Sequence, residues 1–446
     1  MGMAPLRRDM NAANLTSWGR YPAFPQRGEP IYWPNQIASS PPLQADAPLT
    51  LAYGCGRSYG DACLAVSDRV LVMSGMDRFI HADWETGVVV AEAGLTLAEL
   101  IRIALPRGWF PPVTPGTKFV TLGGAVANDV HGKNHHVMGT FGRHVRSLTL
   151  HRSCEGVLTI SPTERPELFA ATVGGLGLSG IILAVELQLM PVRSASIEQR
   201  SIRFGGLDEY FELAARHDQD YQYTVAWIDC LARGKRLGRG LYLAGNHGNQ
   251  GELTLPERRR ISIPFELPVS PVNLLTLKSF NALYYRKQLR REWSARIDYD
   301  SFFYPLDRIL AWNRLYGRAG FQQYQCVVPQ QGAREIIREV LREISAAGSG
   351  SFLAVLKQCG DLTSPGLLSF PLPGVSLALD FPQRAANERL FGKLDALVHE
   401  AGGRLYPAKD AHMSGTHFRK AYPAWEQVEA LRDPRLMSRF WARVIQ

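Results

Sequence analysis

A chain of 446 residues is long for one hydrophobic core and predicts two domains, one inserted in the other. With 46% hydrophobic and 20% charged residues and no low-complexity tract, disordered and fibrous classes are excluded, and no stretch approaches the ~18 apolar residues of a membrane span. The net charge of +9 favours anionic partners without choosing among phosphates, acidic lipids and nucleic acid.

The N-terminal MGMAPLRRDMNAANL lacks the apolar core of a signal peptide. The expectation is a cytoplasmic protein or one peripheral on the inner membrane, with a periplasmic site still open. Six cysteines (Cys55, Cys63, Cys154, Cys230, Cys326, Cys359) lack any CxxC spacing, which predicts free thiols. TLAYGCGRSYGD runs from a strand into a turn containing Gly54, Gly56 and Gly60. GVVVAEAG, from Gly87 to Gly94, predicts a buried strand. A helix follows with Thr96 as N-cap and Glu99 three residues on, a capping box. Leu97, Leu100, Ile101, Ala104 and Leu105 make its apolar face, and Pro106 and Gly108 end it.

PPVTPGTKFVTLGGAVANDVHGKNHH then turns through three prolines and Gly116. Gly123, Gly124, Ala125 and Ala127 permit close backbone approach to a ligand, with N–H groups directed at an anion. His131 and His135 carry the i, i+4 spacing of zinc-binding helices. However, Gly132 stands where such helices place Glu, and Gly132 and Asn134 are poor helix formers. A metal site, idle loop histidines and a backbone cradle for a large anion all stay open here.

FAATVGGLGLSGIILAVELQLMPV contains Gly175-x-Gly177-x-x-Gly180, and a dinucleotide fingerprint requires a helix next. Instead Val185, Leu187 and Leu189 alternate with Glu186 and Gln188, predicting a strand that Pro191 ends. A Rossmann nicotinamide site is excluded. Beyond about residue 195, SIEQRSIRF, YTVAWIDCL, GRGLYLAG, FQQYQCVVP and SFLAVLKQCG predict strands of an antiparallel sheet with one wet face. REIIREVLREISAAG and ERLFGKLDALVHEAGG predict amphipathic helices ending in glycine. Between Arg258 and Arg291, eight Lys/Arg and one acid interleave with Leu274, Leu275, Leu277, Phe280, Leu283, Tyr284 and Tyr285. The readings are a solvated loop, a nucleic-acid patch, or contact with a polyprenyl phosphate and an anionic membrane surface. No nucleic-acid fold accompanies the stretch, so no nucleic-acid partner is expected.

GCGRSYGD, PGTKFVTLGGAVANDVHGKNHH and TVGGLGLSGII, in this order with the capped helix between the first two, resemble the flavin domain of the vanillyl-alcohol-oxidase-type FAD oxidoreductases. HGKNHH followed by GTFGRHVRSL, with WNRLYGRAGFQQYQ, SFLAVLK and RLYPAKD, is similar to the branch of that family acting on a lipid-linked pentose, the decaprenylphosphoryl-β-D-ribose 2′-oxidases. The likeness runs from Leu15 to the end. It implies an α+β fold: a two-subdomain FAD-binding domain of the vanillyl-alcohol-oxidase type over 1–194, an inserted antiparallel-sheet substrate domain over 195–403, and a return to the first domain over 404–446.

The resemblance also implies FAD, cradled by Gly54, Cys55, Gly56, Arg57, Ser58 and Tyr59, by Pro115, Gly116, Thr117 and Thr121, and by Gly123, Gly124, Ala125, Asn128, His131, Gly132 and Asn134. Gly177, Gly180, Ile182 and Tyr406 complete that set. Relatives that tether FAD covalently commonly have a histidine near the place of Tyr59, so noncovalent FAD is expected, and no metal. Lys409 in YPAKD is the implied base, which requires burial or nearby positive charge to keep its amine neutral. From the residues alone, a surface lysine paired with Asp410 is an equal reading. His131 and Tyr59 are implied at the sugar or flavin edge, with Lys133, Trp227, Tyr316, Gln323, Gln325 and Lys357 around the substrate. Ala378 stands where mycobacterial relatives carry a cysteine attacked by nitroaromatic inhibitors, so that covalent inhibition is not expected.

The implied reaction is oxidation of the 2′-hydroxyl of a polyprenyl-phosphate-linked ribose to a 2-keto sugar. A separate NAD(P)H-dependent keto-reductase would complete epimerisation to arabinose for cell-wall arabinan. The alternative substrate is a free alditol or aldonolactone. Rivals from other classes are a metal-dependent hydrolase using His131, His135 and Asp129, and a flavin-free lipid-binding protein.

Overall fold

The computed structural model describes residues 14–446 except 39, 41, 42, 45 and 256–258, so the N-terminal reading over 1–13 and Arg258 of the basic stretch lie outside the described residues. Three sheets organise an α+β fold. Strands Arg27–Pro30, Arg69–Val72 and Ala52–Tyr53 form a small parallel sheet. Phe79–Asp83, Val88–Glu92, Ile181–Gln188, Val145–Arg152 and Gly156–Ile160 form an antiparallel sheet in that spatial order. The strand Ile181–Gln188 follows Gly180 directly, where a Rossmann site would need a helix.

The helix Leu97–Ala104 buries Leu97, Leu100, Ile101 and Ala104, and Thr96 caps it by accepting the Glu99 N–H at 3.2 Å. The predicted reciprocal bond is not made. The Glu99 carboxylate takes Arg102 at 2.9 Å instead, because a neighbouring guanidinium outcompetes a backbone N–H for it. Gly108, at φ 81°, ends the turn that follows.

Eight antiparallel strands build the large sheet, in the order Glu292–Asp298, Ser196–Phe204, Gly240–His247, Tyr223–Ile228, Val355–Cys359, Gly374–Pro382, Phe321–Pro329 and Arg404–Leu405. Helices Leu207–His217, Ala333–Ala347 and Ala385–Glu400 bury their apolar sides in one core with this sheet. The expected wet face is absent from the central strands: every residue of Tyr223–Ile228 is buried. One face lies under helices and the other walls a cavity, so alternation separates core from cavity rather than core from water.

The end of the chain packs on its beginning. Leu436 and Ser438 bridge to Thr50 and Ala65, and the helix Arg439–Ile445 lies against the turn Asp61–Cys63. Arg443 Nη2 stands 2.9 Å from Asp61 Oδ1 and 3.0 Å from Asp410 Oδ2, and both carboxylates are buried. Removing the cation leaves Asp61 without its ionic partner and Asp410 with His412 at 3.4 Å, at a cost of roughly 3–5 kcal/mol. Arg443→Met should therefore lower stability by that much in equilibrium denaturation, and adding Asp61→Asn should recover part of the loss.

Candidate active site

A cavity of about 980 Å³ is walled on one side by the two smaller sheets with their loops and on the other by the large sheet. That is the upper end of the roughly 300–1,000 Å³ common for ligand sites. One arm is lined by the loop Gly54–Tyr59, by Pro115, Gly116, Thr117 and Thr121, by Gly123, Gly124, Asn128 and Gly132, and by Gly177, Gly180 and Ile182. A Cβ added at Gly116 or at Gly177 (φ 75°) would meet nothing within 4 Å, so both glycines leave room for a ligand rather than for protein. Arg57 stacks on Trp18 at 3.9 Å with its Nε buried and unpartnered, a cationic donor in the same arm. A long anionic ligand with flat rings suits this cradle, and FAD is such a molecule.

The structure corrects how the Gly123 region works. Leu122–Ala127 is a short helix capped by Thr121, and its first amides are already engaged: Gly123 N–H donates to Ala93 O at 2.8 Å and Gly124 N–H to Thr121 Oγ1 at 3.1 Å. The two glycines provide space, not anion-binding N–H groups. Three residues expected at the ligand are missing from the cavity wall. Ala125 is packed in the core, Asn134 turns inward to donate to Pro112 O at 2.8 Å, and Tyr316 stacks on Phe321 at 4.3 Å.

The other arm gathers the polar residues. Alternation along the strands turns Gln323 and Gln325, Ala378 and Asp380, and Lys357 to the cavity. Gly60 brings Lys409 to them, because a side chain there would run into the Asp410 carbonyl at 1.6 Å. Its absence lets the loop seat Tyr59 N–H on Ala408 O at 3.0 Å. The Lys409 Nζ then lies 3.8 Å above the Tyr59 ring. The surface pairing of Lys409 with Asp410 is overturned: Asp410 turns to Arg443 while its neighbour enters the cavity.

Burial lowers Lys409 to about 7; Asp380 opposes the shift and Arg57 adds to it. Lys133 is likewise lowered to about 7 by burial and by Lys357, and Lys357 to about 8 by burial. Lys133 donates to Phe302 O, and Lys357 donates to His131 Nδ1 and, at 2.7 Å, to Gly132 O. Burial, then Lys357, holds His131 well below the usual histidine value, so its ring is neutral. Gln325 Nε2 lies 3.3 Å from His131 Nε2, and Tyr406, hydrogen-bonded to Asn128 O at 2.8 Å, packs 5.5 Å from the same ring. Trp227 lines the cavity with its Nε1 on Phe352 O at 2.9 Å.

The hydrolase constellation does not assemble. Asp129 accepts from Ser364, Ser369 and Gly142 N–H, and His135 Nδ1 accepts Gly360 N–H at 3.2 Å. Among the described residues, no three His, Cys, Asp or Glu side chains are grouped to hold a metal ion.

Residues 44–160 match the model of the FAD binding domain family. A decaprenylphosphoryl-β-D-ribose oxidase from Mycolicibacterium smegmatis is 35% identical over 398 residues, 86% of either chain. The chain belongs to the vanillyl-alcohol-oxidase-type FAD oxidoreductases. As a member of that family it is an FAD-dependent oxidoreductase, and the glycine-lined arm is where its residues fit the cofactor. An uncharacterized protein of Streptomyces coelicolor is 34% identical over 355 residues, 76% of this chain and 95% of that protein. An L-gulonolactone oxidase from Scyliorhinus torazame is 30% identical over 149 residues, a third of each chain.

Sequence reasoning missed Asp380, Leu289, Trp293 and Phe302, all in the wall. The signal for Asp380 was present: in GVSLALDFP it shares a strand face with Ala378. The others sit on a loop, an edge strand and a one-turn helix, where periodicity says little.

Two outcomes test the cofactor arm. Gly116→Leu has an ordinary backbone conformation and open space, so the variant should fold with unchanged circular dichroism yet purify with most of its flavin lost. With Tyr59 in the first glycine turn, acid precipitation of the wild type should release all yellow colour into the supernatant; colour in the pellet would mean a covalent bond.

Proposed function

We propose that the chain oxidises the 2′-hydroxyl of a polyprenyl-phosphate-linked ribose to a 2-keto sugar, which a separate NAD(P)H-dependent keto-reductase then converts towards arabinose. Residues 1–194 with 404–446 would bind the flavin, and 195–403 the substrate. The observation that carries this reading is the continuity of one cavity. It runs from the glycine-lined arm past Lys409, Lys133 and Lys357 to an entrance lined by Lys287, Arg290, Leu289 and Trp293. Cations there suit a phosphate, and exposed apolar side chains suit a prenyl tail.

When bound, FAD supplies the acceptor for the hydride. The residues that would hold it are those of the glycine-lined arm with Tyr406. Lys409, as a neutral amine, would take the hydroxyl proton, with Tyr59 beneath it excluding water. Lys133, Lys357, Gln323 and Gln325 would hold the sugar hydroxyls, and the neutral His131, fixed by Lys357, would orient the ring. Among the described residues no helix is long and apolar enough to cross a membrane. The helix Leu274–Arg286 leaves Leu274, Leu275 and Leu283 exposed, and Leu289 is 83% exposed. With Lys278, Arg286, Lys287 and Arg290 alongside, this surface would lie on an anionic bilayer that holds the substrate's tail.

A free alditol or aldonolactone is the second reading, favoured by the lactone-oxidase likeness, though that covers only a third of the chain. Turnover of ribosyl-phosphoryl-prenol against soluble lactones separates the two.

Lys409→Ala should stay yellow but reduce its flavin at least ~100-fold more slowly on anaerobic mixing with substrate, and Lys409→Arg should not rescue it. Near-normal reduction in Lys409→Ala with loss in His131→Ala would move the role to the histidine. Because the deprotonated amine is the active form, the wild-type rate should rise with pH through about 7. Replacing Arg286, Lys287, Arg290 and Arg291 by Gln should raise KM for the prenyl-phosphate substrate and weaken salt-dependent binding to anionic vesicles.

A further inference from the structure

Among the described residues, six Lys/Arg side chains line the cavity against two carboxylates, Asp307 and Asp380. Asp307 is occupied with the Lys118 N–H at 2.9 Å. Asp380 is 1% exposed, faces the sugar arm, and is held at one oxygen by Gln323 Nε2 at 2.6 Å, its cross-strand partner. The strand pairing fixes it where Lys409 feels its charge. The charged and titratable groups around Lys409 are Arg57 and Tyr59 from the first glycine loop, His131 from the second, and Asp380 from the sheet.

We propose that Asp380 is a positioning residue for proton transfer: its buried carboxylate, oriented by Gln323, compensates the ammonium that forms when Lys409 takes the substrate proton. The inference rests on Lys409 being the base. In that step the substrate O–H bond breaks, an N–H bond forms at Nζ, and Lys409 goes from neutral to a unit positive charge. The C–H hydride would leave with its electron pair to bound FAD, the acceptor, and a C=O bond would remain. A new cation in a cavity that already holds Arg57, Lys133 and Lys357 forms more readily when an opposite charge lines the same cavity. Asp380 supplies that charge from a rigid strand. Burial raises Asp380 itself to about 7, with Gln323 and Lys409 pulling it back.

The test is Asp380→Asn, which keeps the shape and can still accept from Gln323. In the yellow variant, the acid limb of the flavin-reduction rate should move about one unit lower in pH, and the plateau should drop about tenfold. Competitive acetylation of the holoenzyme, read by peptide mass spectrometry, should show the midpoint for Lys409 modification moving down by the same amount. Gln323→Met, which strips the carboxylate of its donor, should shift both readouts in the same direction and serves if Asp380→Asn does not fold. An acid limb and a labelling midpoint both unchanged in the variant overturn the pairing, even if the rate falls. Normal reduction in Lys409→Ala instead overturns the assignment of the base, and the labelling midpoint still reads the pair.

Discussion

Lys133, Lys357 and Lys409 stand with Arg57 in one cavity, where burial lowers the proton affinity of each amine, Lys357 lowers that of Lys133 further and Arg57 that of Lys409. An ammonium in water is a poor base. The same group desolvated among like charges becomes neutral near pH 7, which is the range a general base needs. Each amine is held in place within the cavity. Lys357 is tied to His131 and Gly132 O, Lys133 to Phe302 O, and Lys409 lies on a tyrosine face.

Lys409 and Asp410 divide the two tasks of their loop. Asp410 is buried under Arg443, which also holds Asp61, so the end of the chain clamps the loop from behind. Lys409 is thereby turned the other way, over Tyr59. The close approach at Gly60 brings the first glycine loop and the 406–410 loop together, so the glycine-lined arm and the polar arm of the cavity share one wall.

Where side-chain periodicity decides structure, the sequence was legible. The capped helix, the strand after Gly180, the strands of the large sheet and the two glycine-ended helices all form. Misreadings arose where competing partners decide. Glu99 chose Arg102 over a backbone N–H, and the amides of Gly123 and Gly124 were taken by Ala93 and Thr121. Asn134 and Tyr316 carry the right chemistry but spend it on Pro112 O and on Phe321.

Spacing and alternation determined the exclusion of a nicotinamide site, and the order of the motifs implied, through the family resemblance, the α+β class and a set of flavin loops, because turns and strands are written in neighbouring residues. Asp380 is the counter-case. Its pattern marks only a face of a strand, and the same alternation would suit a solvent-facing acid. Packing of the large sheet against the glycine loops made that face a cavity wall, and burial beside Lys409 gave the carboxylate its meaning. Charge in a protein acts through distance and dielectric, and both are set only once segments 57–59, 323, 380 and 409 meet in space.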